Sequence, residues 1–416
     1  MKATLYYTFA YLSFATLASA AVNETTSTSS YCTPNIICDS ISSRVGWVSS
    51  SPLRNSFSIL FSCLATFFAC AWSILQLNLP GLQETTVQKF RRKVKWMFIT
   101  IIFPELLAAI ALVEFGLARK SRKEMRILPG GHNWTTTHAF FANMGGFVLR
   151  TPDLHDFPLN AESLRLVVTE GPVTIPETKK EDITDRSKTD IFARSFAVLQ
   201  GLWTVVQCIA RYREDLPIMA LEVNAALFTI ISLWTYIFEW SKPKDVSVPI
   251  VIESKEKLGA EQVEKIETIY KDWYKKDVGE TLDIQRIPFG PLMMAFLGEK
   301  LKMKSWVTGL WFVLSLLAGF YNGAHMWVHE DLFNAGMWIA WRVCAWGGVG
   351  IPLIANFLIW FEKCLPISLV SVTWVVLVVC YMFIRIGLLV VGIVSFYSLP
   401  VEAYYNVTWT TFIPHF

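Results

Sequence analysis

The sequence predicts an all-α, polytopic membrane protein with about seven hydrophobic helices after a signal peptide and an amphipathic helix on the cytosolic side. Three observations predict it. Of 416 residues, 53% are hydrophobic and 17% charged, against about 25% charged in an ordinary soluble domain. The apolar surplus is gathered into blocks, and residues 306–327, 338–360 and 370–397 each reach the roughly 20 residues that cross a bilayer core. Basic clusters punctuate the blocks, as orientation by the positive-inside rule requires. The net charge of +3 is small, and no basic stripe interleaved with aromatics stands out, so no nucleic-acid partner is expected.

Residues 1–20 read as a signal peptide: Lys2, an apolar centre from Leu5 to Leu17, and the small-residue site Ala18-Ser19-Ala20. An uncleaved first helix is the alternative. Residues 21–55 form a Ser/Thr-rich lumenal segment with a glycosylation sequon at Asn23. Cys32 and Cys38 lie there, where an oxidising lumen would let them bridge. Of the other cysteines, Cys63, Cys70, Cys208, Cys344 and Cys380 sit in apolar runs as small hydrophobes.

Residues 56–149 hold the N-terminal membrane segments. The run 56–77 is the first mature span, closed by Leu79-Pro80-Gly81. A basic run follows, Lys89, Arg91, Arg92, Lys93 and Lys95, and belongs in the cytosol. The apolar run 96–117 is interrupted by Pro104-Glu105, carries Glu114, and meets a second basic run at Arg119, Lys120, Arg122, Lys123 and Arg126. Positive charge at both ends leaves three solutions. One is a re-entrant hairpin broken at Pro104, another an extra crossing over 134–149, and the third an override of the charge rule. Residues 133–149 are half apolar and read as an interfacial or partly inserted element, with His138 and Asn143 as polar members.

Residues 150–190 are a soluble loop, a linker or a small strand-containing excursion. Residues 191–240 form a helical hairpin with its turn at 211–215, and Glu222 and Asn224 are expected about two turns inside the second helix. Residues 241–305 are a cytosolic charged loop. Within it, 258–276 has the amphipathic spacing Val263, Ile266, Ile269 and Tyr270. Residues 306–397 are the C-terminal three-helix core, and 398–416 a lumenal tail with a sequon at Asn406. Leader and sequons together predict the endoplasmic reticulum membrane.

Several chemistries lack their motifs. There is no GxxxxGK[ST], no GxGxxG opening a helix, no Asp-rich diphosphate box and no GxSxG elbow, so no cofactor and no metal are expected. His325 and His329, with Glu330 beside them, do not make HExxH and read as polar residues at a membrane surface. What remains is charge inside apolar runs: Glu105, Glu114, Glu222 and Glu239, with Arg342 and Arg385. Burial disfavours a charged carboxylate and favours a retained proton. Ionisable groups at membrane depth either pair as structural glue or act. Trp306, Trp327, Trp338 and Trp360 sit at run ends as an interfacial belt. Trp311, Trp346 and Trp374 lie deeper, where ring faces can stabilise a cation.

The leader with its Ser/Thr segment, the stretch Trp134-Thr135-Thr136-Thr137-His138, and the region from Gly323-Ala324-His325 to Trp341-Arg342 carry a likeness. On these the chain resembles fungal integral membrane terpene cyclases of meroterpenoid pathways, of the ascofuranone and macrophorin type. The resemblance implies metal-independent cyclisation of a prenyl or epoxyprenyl chain, started by protonation from a membrane-buried acid. It implies a hydrophobic small-molecule substrate, contact with membrane lipid, and a prenyltransferase and an epoxidase as pathway partners. The candidate residues come from physics: Glu105 or Glu222 as acid, Arg342 and Arg385 tuning it, and His325 beside them. Two further readings stand: a transporter or channel whose acids and arginines line a path, and a non-catalytic structural membrane protein.

Overall fold

The computed structural model describes residues 44–49, 54–81, 83–152, 156–171, 173–187, 191–274, 286–287, 305–361 and 367–407. The signal peptide, Asn23, Cys32 and Cys38 lie outside them. The described residues are mostly helical, in twelve α-helices with short strands and 3-10 turns. Four helices are long and apolar enough to cross a membrane: α1 (Ser56–Ile74), α8 (Ala220–Phe238), and most of α11 (Ala335–Phe361) and α12 (Ile367–Val394). Two others, α7 (Ile191–Arg213) and α10 (Ser305–Ala324), pack alongside, α7 on α1 and α8, and α10 on α11. Among the described residues four helices thus qualify singly, or up to five spans with the bent pair that follows α1, and the expected seven are met only in part. The run 96–117 is divided between two helices, and α7 carries Arg194, Arg211 and Arg213.

Each boundary has a local cause. Asn55 caps α1, accepting from Ser58 N at 2.7 Å. Thr85 caps α2 (Thr86–Ile102). Pro104 then ends it, because proline brings no N–H and its ring excludes a continuing turn. The chain restarts at once as α3 (Pro104–Arg126), bent by 109° from α2. Lys93 of α2 pairs with Asp245 at 2.8 Å, and Glu114 of α3 with Lys242 at 2.5 Å. Both partners belong to the short stretch after α8, so both limbs return to the same end of the bundle. A bent pair of this kind is a broken span or the re-entrant hairpin at Pro104, and residues 134–149 hold a helix of only eight residues and a strand of four, too short to cross.

That same end carries a soluble unit. Helix α4 (Thr136–Asn143) leads into β2 (Phe147–Arg150), which pairs antiparallel with β3 (Phe157–Leu159) and parallel with β4 (Ile250–Glu253). Helices α5 (Ala161–Glu170), α6 (Lys180–Arg186) and α9 (Ala260–Tyr274) complete it. Phe141, Phe147, Phe157, Leu164, Ile266 and Tyr270 form its core. Gly145 takes φ +81°, and a Cβ on Gly146 would lie 2.4 Å from the Phe141 ring, so the α4–β2 turn admits only glycine. This corrects the reading of 133–149 as an interfacial element: its aromatic residues face a protein core. The described residues of 150–187 and of 246–274, with Ile287, are likewise parts of one unit, and α9 buries its apolar face against α5.

The opposite end is closed by a clasp. β1 (Arg44–Val45) pairs antiparallel with β5 (Leu399–Pro400). Arg44 donates to Asp331 O at 2.7 Å and to Ser398 O at 2.6 Å. Arg211, at the C-terminal end of α7, donates to the carbonyls of Pro217, Glu402, Ala403 and Tyr405.

A candidate functional site at the hairpin tip

The break between α2 and α3 frees a carbonyl. Leu106 N turns to Phe103 O at 3.1 Å, so Ile102 O loses its helical partner. Arg385 Nε donates to it at 2.9 Å. The same guanidinium lies 3.6 Å from Glu105 Oε2, 4.0 Å above the Tyr321 ring, and 3.3 Å from Asn322 Oδ1. Tyr381 OH donates to Glu105 Oε1 at 2.5 Å, and Asn322 Nδ2 donates to Tyr381 OH at 3.2 Å. Glu105 and Arg385 are only 1% and 3% exposed. A buried pair survives when further hydrogen bonds support it, and here Ile102 O, Asn322 and Tyr381 supply three, with the Tyr321 ring face beside them, while Glu105 Oε2 is met by the ion pair alone.

The network continues toward the clasp. His325 Nδ1 lies 2.7 Å from Tyr321 O, and Nε2 lies 2.8 Å from Asn224 Oδ1. Asn224 Nδ2 is committed to Ala220 O at 3.1 Å, so its oxygen is the atom facing the ring. Both ring nitrogens therefore meet acceptors, and the second bond forms only when the ring carries two protons. Trp341 Nε1 donates to His325 O at 2.9 Å and closes this layer. Toward the soluble unit, Lys242 stands between Glu114 at 2.5 Å and Glu239 at 3.0 Å. The bundle thus holds buried ionisable groups at three depths: Arg54 with Glu222, then Arg385 with Glu105, then Lys242 with its two acids.

Of the residues singled out from sequence, the geometry brings together Glu105, Arg385 and His325. Glu222 is elsewhere. The turn after α7 extends to Met219, so Glu222 falls in the first turn of α8 rather than two turns inside. There its carboxylate accepts from Met219 N at 3.1 Å and pairs with Arg54. Arg342 tunes neither acid; its guanidinium lies 4.2 Å over the Trp338 ring, partly exposed. Asn406 is exposed at the clasp end. Tyr321, Asn322 and Tyr381 were missed. A tyrosine or asparagine inside an apolar run looks like an interfacial residue until its partner is known. Two clefts open on the soluble unit, one lined by Leu79, Met144, Asp156, Pro158, Arg286 and Ile287. The other is lined by Glu177, Thr178, Asp182, Asp185, Arg186 and Ile250. Neither borders Glu105 or Glu222.

Residues 29–263, more than half of the chain, match the Family of unknown function DUF8562. The chain belongs to this family. The matched stretch holds the hairpin and α8, and with them Glu105, Glu222 and Asn224. His325, Tyr381 and Arg385 lie beyond it. No curated protein and no solved structure matches the chain.

Proposed function

We propose that this chain is a proton-coupled membrane transporter in which Glu105 exchanges the proton. The observation that carries this reading is the pairing of Glu105 with Arg385 at the tip of a hairpin that enters and leaves by one end of the bundle. Irregular backbone at membrane depth is tolerated where protein buries it or a polar path runs past it. Ionisable residues at such depth mark ion and proton pathways. Proton arrival at Glu105 would release Arg385 from its counter-charge, and departure would restore the pair. His325 with Asn224 on one side and Lys242 with Glu114 and Glu239 on the other extend the polar groups toward both ends.

Cyclisation of a prenyl chain asks for a different state, a carboxyl that keeps its proton beside an apolar chamber. Glu105 instead faces the Arg385 guanidinium and the Tyr381 hydroxyl, and neither cleft borders it. The test is proton flux. Liposomes containing the full chain and an internal pH dye should acidify under an imposed potential. Glu105→Gln should reduce the rate to that of empty liposomes. Undiminished flux through a folded Glu105→Gln protein would overturn the assignment. A cyclic product from an epoxyprenyl substrate without flux would favour cyclisation.

A further inference from the structure

The first turns of α2 present two kinds of side chain outward. Val87, Phe90 and Phe98 are 67%, 47% and 51% exposed, and with Val94 they follow helical spacing along one stripe. Arg91 and Lys95 are exposed beside that stripe. Their neighbours are neutralised: Arg92 meets Glu84 at 3.4 Å and Lys93 meets Asp245 at 2.8 Å. Among the described residues no acid pairs with Arg91 or Lys95. Two like charges four residues apart on one helix repel by about 0.2–0.5 kcal/mol, a cost that an external anion would relieve. The depth is also marked. Asp245, which Lys93 reaches, follows α8 closely, and Trp240 stands 68% exposed just past that helix. An exposed tryptophan at a span end belongs at the headgroup level.

We propose that the first four turns of α2 bind the headgroups of anionic phospholipids in the adjoining leaflet. Arg91 and Lys95 meet the phosphates and carboxylates, and Val87, Phe90 and Phe98 enter the acyl boundary. Amphipathic helices with basic flanks bind such surfaces through both terms. The pairing selects by charge, since zwitterionic headgroups offer no net counter-charge.

The experiment uses the purified full chain in detergent with equal amounts of phosphatidylserine and phosphatidylcholine, read by native mass spectrometry. Phosphatidylserine should be retained in preference. Arg91→Gln with Lys95→Gln should lower that preference roughly thirtyfold, on the scale expected for two basic residues near an anionic surface. Arg91→Lys alone should keep it. Neither side chain holds the fold, so melting should not change. Equal retention of both lipids by the native chain, or a double variant that keeps its preference, would overturn the proposal. Displacement of the lipid by inorganic phosphate would also overturn it, by making the site one for soluble anions.

Discussion

Arg385 Nη2 lies 3.6 Å from Glu105 Oε2, across the break where α2 gives way to α3. The helix break and the charge opposite it are two halves of one arrangement: Arg385 also takes Ile102 O, the carbonyl that Leu106 N gives up by turning to Phe103 O. Removing either partner leaves the other buried and uncompensated. Arg385→Met should therefore cost about 3–5 kcal/mol of bundle stability. The double variant Arg385→Met with Glu105→Gln should recover much of that, because no charge remains buried. Denaturant unfolding in micelles measures both. An Arg385→Met protein as stable as the native chain would show the pair to be energetically idle.

Lys244 gives a pH dependence. Its ammonium caps the end of α1, donating to Ser73 O at 2.7 Å and Trp72 O at 3.2 Å. Burial, with repulsion from Lys93, pushes the amine from 10.5 down to about 7. Between those values the unfolded chain binds a proton that the folded chain lacks. Stability should then rise as pH rises through that window and stay flat below it. Lys244→Met should remove the slope. Melting temperatures across the window decide it, and an unchanged slope in the variant would assign it elsewhere.

Gly146→Ala should break the soluble unit while sparing the bundle. The added methyl meets the Phe141 ring at 2.4 Å, and overpacking of this kind costs about 1–3 kcal/mol or more. Limited proteolysis should cut between α4 and β4 in the variant and leave α11 and α12 intact. A protease pattern like that of the native chain would mean that the ring gives way at no cost.

Glycan mapping reads the topology. Asn406 is exposed at the clasp end and Asn133 at the soluble unit. Asn406→Gln, made alongside Asn23→Gln, should abolish a gel shift that Asn133→Gln, at the sequon Asn133-Trp134-Thr135, leaves in place. An occupied Asn133 would put the soluble unit in the lumen and reverse the orientation.

Much of this was legible in the sequence. Glu105 and Arg385 stood out because charge is rare in apolar runs, and the two basic clusters around 96–117 left a re-entrant hairpin as one of three solutions. Their mutual contact was not legible, since nothing local relates α3 to α12. The soluble unit was hidden for the same reason. Phe147 pairs with Ile250 across most of the hairpin α7–α8, and β2 alone is too short to show a strand period. Glu222 was placed too deep because apolar residues of the preceding turn, Leu216 to Met219, look like helix. His325 looked superficial beside His329 and Glu330, yet it is fully buried under Trp341.

The strand Arg44–Val45 has no partner until Leu399–Pro400 has been synthesised. Insertion can thread the early helices into the bilayer as they leave the ribosome, and Arg54 can meet Glu222 once α8 has followed, but the strand before α1 stays unpaired until β5 is made. Maturation thus finishes with a zipping step at the far face, made by residues at the rear of the chain. A bulky tag fused directly after residue 407 would burden that step, whereas one inserted in the soluble unit's outer loops would leave it alone.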